Sequence, residues 1–205
     1  MNNPWEEIDL YAYENHMRLD SVFQLQTMNE MMKDQFYTYP VKSVIILGIA
    51  GGNGLEHIDQ MVINKVYGVD INKNYLSACM HRYPKLQGVL HLIHADLTQD
   101  TKKLPHADLL IANLFIEYIG CEHFQKAVQQ AAPRYVSCII QIDTDASFVS
   151  DSPYIHVFDH LDEIHHTIEE NTLVNALRRL GYEKIMQMDK SLPNGKKLIR
   201  IDFGK

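Results

Sequence analysis

From Val44 to Ile58 the chain reads VIILGIAGGNGLEHI, with five glycines or alanines among positions 48 to 54. Residues this small let a ligand or another segment approach the backbone, and glycine accepts dihedrals that other residues resist. The helix expected next would aim free N–H groups at an anion, phosphate or carboxylate. Three polar residues follow at intervals: Asp70, Asp96 and Asn113. A carboxylate at position 70 can accept from both hydroxyls of a ribose. One at position 96 can accept from the exocyclic amine of adenine. Asn113 would stand beside a reacting group. The set suits an adenosine bearing either a phosphate or an amino-acid tail.

These residues work together only if their elements bring them to one edge. Short apolar runs at Ser43–Leu47, Lys65–Asp70, Val89–His94, Ala107–Asn113 and Tyr135–Ile142 read as strands. Helical faces alternate with them: Leu55, Ile58, Met61 and Val62; Tyr75, Leu76, Cys79, Met80 and Tyr83; Phe124, Ala127, Val128 and Ala131. A long helix carries Ile164, Ile168, Leu173, Leu177 and Leu180, with Gly181 as its cap. Strands joined through helices pair in parallel, with both faces covered. Two more strands, Glu183–Met188 and Lys197–Phe203, are separated by too little chain for a crossover helix. Pro193, Asn194 and Gly195 supply turn chemistry, so the last strand must return antiparallel. Ligands of such sheets bind at the carboxyl ends of the strands, which is where 48–54, 70, 96 and 113 fall.

Ahead of this body, residues from about Glu6 to Phe36 read as two helices. Val22, Leu25, Met28, Met32 and Phe36 share one face of the second, Ser21 and Gln24 have capping-box spacing, and Tyr39-Pro40 ends it. The expected organisation is a helical cap over residues 1–40 and one compact unit over 41–205.

Glycine loop, acid, acid, polar strand end and terminal hairpin together resemble the class I S-adenosylmethionine-dependent methyltransferases from about Val41 to Lys205. The resemblance implies a Rossmann-like, doubly wound, seven-stranded α/β sheet, parallel but for its C-terminal hairpin strand. It implies S-adenosylmethionine as donor, held by Gly48, Ala50, Gly51, Gly52, Gly54, Asp70, Ile71, Asp96, Leu97 and Asn113. Asp70 would take the ribose, and Asp96 with the Leu97 backbone the adenine. The family's loop begins with an acid that helps anchor the donor's ammonium group; here that position is Gly48, and Ala50 replaces a glycine. The dinucleotide pattern G-x-G-x-x-G fails, because its third glycine is His57.

Methyl transfer from a sulfonium needs alignment, desolvation and a deprotonated acceptor, so a catalytic residue need leave no motif. Tyr13, His16 and Met17 lie at helical spacing in YAYENHM and are candidates to close over the donor. In NLFIEY, Glu117 and Tyr118 can orient a polar acceptor, though the stretch lacks the Asn-Pro-Pro-Tyr of many enzymes that methylate amino groups. The connection 144–162 carries Tyr154, His156, Phe158 and His160. Its histidines, with His165 and His166, do not share the spacing of a metal site. A magnesium site would want acids after strands four and five, where the chain has Asn113 and Asp143, so no metal is expected.

The chain has 205 residues, 46% of them hydrophobic, and a formal charge of −7. That sustains one sizeable core and disfavours phosphate backbones as partners, so no nucleic acid is expected. Three separated cysteines, no apolar leader and no run of membrane-span length lead to the expectation of a cytoplasmic protein without a membrane partner, monomeric or homodimeric. The reading is a methyltransferase acting on a small-molecule acceptor. A binding protein that keeps the fold without transfer and an aminopropyl transferase are the alternatives.

Overall fold

The computed structural model describes residues 3–142 and 148–205. Seven strands form one sheet: β1 (Ser43–Leu47), β2 (Lys65–Asp70), β3 (Leu90–His94), β4 (Leu109–Asn113), β5 (Tyr135–Ile142), β6 (Glu183–Ser191) and β7 (Lys197–Gly204). Their order is β3-β2-β1-β4-β5-β7-β6. The first five pair in parallel, and β7 runs antiparallel between β5 and β6. The order reverses at β1 and β4, so the carboxyl ends of these strands open onto a crevice. Both central strands are buried along nearly their whole length, as a sheet covered on both faces requires.

The hairpin between β6 and β7 closes as its residues dictate. Gly195 sits at φ +83°, Asn194 Oδ1 accepts from Lys196 N at 3.1 Å, and Leu192 N donates to Lys196 O at 2.8 Å. Among the described residues the α-helices are α1 (Leu10–Arg18), α2 (Gln24–Thr38), α3 (Lys73–Arg82), α4 (Ile116–Ala131) and α5 (Glu170–Arg178). Gly120, at φ 72° and ψ 160°, interrupts α4.

Three local expectations are corrected. The β1–β2 connection holds no α-helix, only a 3-10 turn at Leu55–His57. Leu55 and Ile58 are buried, but Met61 is 93% exposed. Gly54 starts the turn at φ +90°, and the Asp59 carbonyl accepts from Val62 and Ile63, so the backbone turns again before a second helical turn can form. No helix N-terminus therefore faces the crevice from this loop. The capping box at Ser21 does not form either. Phe23 occupies the cap position at φ 52° with no side-chain bond, and Gln24 instead donates to Gln141 Oε1 at 2.8 Å. The long helix is short: Ile164 and Ile168 precede α5, and Gly181 N closes on Arg178 O beyond its end.

Helix α2 is welded to the sheet by a buried polar chain. Gln35 and Asn113 exchange reciprocal amide bonds at 2.8 and 2.9 Å, and Gln35 also donates to Ser137. Ser137 donates to Asp202, which pairs with Arg200 at 2.6 Å and accepts from Tyr39. Every member is bonded, which is what makes so much buried polarity tolerable.

Candidate functional site

A cleft of about 670 Å³ opens at the carboxyl ends of β1 to β4. Of the donor residues expected from the sequence, the structure brings Gly48, Ala50, Asp70, Ile71, Asp96, Leu97 and Asn113 to its wall. Gly51 lies on a neighbouring cavity, and Gly52 and Gly54 lie outside both.

The small residues of the loop make room chiefly for the protein itself. A Cβ on Gly48 would stand 2.5 Å from the Phe115 ring, and one on Gly54 3.0 Å from Met32 Sδ. On Gly52 it would meet Tyr83 and Cys79, and on Gly51 it would overlap Arg82 and Glu14. Gly48 also holds φ +68°, in the left-handed region. Ala50 holds φ 47° with a side chain, and its N–H donates to Asp70 Oδ2 at 2.9 Å.

Asp70 is 8% exposed, and its other oxygen accepts from Asn72 N at 2.9 Å. Burial raises its pKa to about 6; the amides of Asn72, Ala50 and Ile71 oppose this without cancelling it. Asn72 caps α3 through its side-chain oxygen, and its amide donates to Trp5 O at 2.8 Å, which ties the N-terminal segment to the tip of β2. Asp96 turns back on its own loop, accepting from Thr98 N and Oγ1 and from Gln99. Asn113 faces the cleft with its amide committed to Gln35.

The cleft's outer wall joins Tyr13 and Tyr118, expected near the ligands, to Trp5 and Tyr75, which were not expected there. Trp5 packs edge-on against Tyr13 at 5.6 Å and against Tyr118 at 4.9 Å, and Tyr13 stacks on Tyr75. The Tyr75 hydroxyl is buried and has no hydrogen-bond partner among the described residues. The residue also lines the cleft. Phe115 and Tyr75 could have been noticed from position alone, one two residues beyond β4 and the other in the first turn of α3. Trp5 carries no such signal.

Trp5, Tyr13, Leu114 and Tyr118 also wall a second compartment of about 530 Å³. It adds His16, Met17, Gln24, Glu117, Gln141, Phe148, Phe158 and His165. Tyr13, His16 and Tyr118, the three candidates for chemistry, therefore meet at one place. His16 is 4% exposed, its Nδ1 lies 2.8 Å from Ser152 Oγ, and burial, aided by Lys196, lowers its pKa to about 4. Burial with the charges of Asp70 and Glu14 pushes the Tyr13 hydroxyl well above its usual value. Glu117 accepts from Gln141 N at 3.1 Å, and His165 stacks on Phe148 at 3.9 Å.

Of the connection after β5, Phe148, Val149, Phe158 and Leu161 reach this compartment, while His156 and His160 point outward beside Asp159 and Glu163. Among the described residues no group of three His, Cys, Asp or Glu side chains could hold a metal. Asp143 lies outside the described residues. No helix among them is long and apolar enough to cross a membrane.

Solved structures decide the fold. The methyltransferase domain of bacterial CtHen1 superposes with a TM-score of 0.63 at 19% identity, over 93% of this chain and 97% of that one. Magnesium protoporphyrin IX methyltransferase from Synechocystis PCC 6803, with bound S-adenosylhomocysteine, gives 0.62 at 12% identity, over 94% and 87%. The [4+2]-cyclase SpnF gives 0.65 at 8% identity, over 87% and 80%. This chain has the class I methyltransferase fold. No protein-family model matches it, and no curated protein matches it in sequence.

Proposed function

We propose that the first cleft binds S-adenosylmethionine and that the protein transfers its methyl group to a small molecule held in the second compartment. The donor supplies an activated methyl on a sulfonium, open to in-line displacement. The protein's residues then have to bind, orient and exclude water. Asp70 accepts from the Ala50 amide on one oxygen and from the Asn72 amide on the other, and offers its remaining lone pairs to ribose hydroxyls. Ile71, Ala95 and Leu97 flank the space for the base, with Asp96 at its edge. Trp5, Tyr13 and Tyr118 wall both spaces and keep water from the junction. His16, neutral at pH 7, and Tyr13, a weak acid, are poor proton carriers; their role is to position the acceptor. The N-terminal helices act as the cap of this arrangement.

The observation that carries the reading is the buried Asp70 carboxylate on the cleft wall at the tip of β2. Burying a charge costs stability, and ribose hydroxyls would add bonds to it. Calorimetry with S-adenosylhomocysteine tests the idea. Asp70→Asn should weaken binding at least about tenfold. A wild-type protein that takes up no adenosyl ligand at millimolar concentration refutes the proposal. Transfer itself is read as S-adenosylhomocysteine formed from the donor across a panel of small acceptors.

Binding without methyl transfer is a second reading. Gly48 in place of the family's acid favours it, and the same fold serves a [4+2]-cyclase. It predicts tight binding with no product on any acceptor.

A further inference from the structure

Between the glycine loop and the cap helices lies another cavity, of about 530 Å³. It shares Tyr13, Gly48, Ala50 and Asn113 with the adenosyl cleft, so the two adjoin at the loop. Its other walls include Met17, Leu25, Met28 and Met32 from the cap and Ile46, Leu47 and Ile49 from the sheet. Glu14 is the one charged side chain among the residues that line it. A donor seated with its ribose at Asp70 would send its amino-acid tail past Gly48 and Ala50 toward this space.

We infer that Glu14, on the cap helix α1, receives the ammonium group of the donor's amino-acid tail in place of the acid that Gly48 lacks. This rests on the proposed adenosyl site. Position 48 cannot itself carry the acid: its φ is +68°, and a Cβ there would drive into Phe115. The carboxylate has to come from another element, and α1 brings Glu14 against the loop at Gly51.

Glu14 is built as a fixed acceptor. Its two oxygens take a fork of bonds from Arg82, Nη2 to Oε2 at 2.8 Å and Nη1 to Oε1, and its side chain is 12% exposed. Arg82 Nη1 also reaches Gly51 O at 3.3 Å. The pair packs against Gly51, where any Cβ would collide with both groups. A two-pronged guanidinium bond fixes a carboxylate's plane and leaves each oxygen a further lone pair. An ammonium, with three donors on a point charge, can bind those lone pairs without displacing Arg82. Arg82 is then a positioning residue, and the N-terminal helix is part of the donor site.

The test compares two ligands that differ in the tail. S-adenosylhomocysteine carries the ammonium and carboxylate; 5′-methylthioadenosine carries neither. Calorimetry on the full-length protein should show Glu14→Gln weakening S-adenosylhomocysteine at least about tenfold, the usual weight of a charge-assisted bond, with 5′-methylthioadenosine unchanged. The unchanged nucleoside certifies that the variant is folded and its cleft intact. Equal effects on both ligands, or no effect on either, overturn the inference and leave the adenosyl site standing. Failure of the wild-type protein to bind either ligand removes both.

Discussion

Asp70 is held ionised at neutral pH at a cost to the fold, and Asp70→Asn measures that cost. Its pKa stands at about 6 in the folded chain against an ordinary 3.8. Roughly two pH units at 1.36 kcal/mol each is about 3 kcal/mol. The sign follows from linkage. The folded chain binds this proton more readily than the unfolded chain, so the stabilisation is full below about pH 3.8 and is lost as pH rises through about 6. About 1.4 kcal/mol of it falls between pH 5 and pH 8. Asparagine keeps the shape and removes the charge, though its one oxygen leaves either the Ala50 or the Asn72 amide unpaired, at about 1–2 kcal/mol. That loss is largely independent of pH, so the slope is the cleaner readout. Urea unfolding followed by far-ultraviolet circular dichroism at pH 5 and pH 8, without ligand, should show the stability difference moving toward the variant by about 1.4 kcal/mol as pH rises. Nucleoside affinity should fall at least about tenfold in the same variant. A stability difference independent of pH refutes the argument that a buried, destabilising carboxylate is kept for a ligand.

Two further perturbations bear on the site's frame. His16 has its pKa lowered from 6.5 to about 4, the opposite sense: its contribution is full above pH 6.5 and is lost as pH falls through about 4, up to about 3 kcal/mol. His16→Gln should flatten the acid limb of the stability profile, measured as the melting temperature from pH 7 to pH 4.5; an unchanged limb excludes His16 as its source. Gly48→Ala meets both a positive φ and the Phe115 ring and should cost about 2–4 kcal/mol in urea unfolding. Phe115→Ala should recover part of that loss in the double variant, and strict additivity would show that the two residues do not compete for space.

Much of the sheet was legible because its signal is local. An apolar run bounded by turn residues reads as a strand whatever lies around it, and β5 falls at Tyr135–Ile142 as expected. The short gap around Asn194-Gly195 forced the antiparallel hairpin, since chain length alone forbids a crossover. The β1–β2 helix failed because Leu55, Ile58, Met61 and Val62 have the right spacing but too little chain between Gly54 and Asp59 to propagate a helix. Ser21 and Gln24 had the right spacing for a cap, and Gln24 found a better partner on β5, 117 residues away.

The sequence by itself determined that polar residues 70, 96 and 113 would stand at strand tips beside a loop of small residues, because strand direction and alternation are set by neighbours in the chain. It did not determine what the small residues make room for. That was decided by Phe115, Arg82, Cys79 and Met32, which arrive from α2, α3 and the start of α4. Nor could it place Trp5 against Tyr118 or Glu14 on Arg82, pairs separated by 113 and 68 positions. Contacts of that range exist only once the sheet has fixed where the helices lie, and they convert a row of strand tips into an enclosed site.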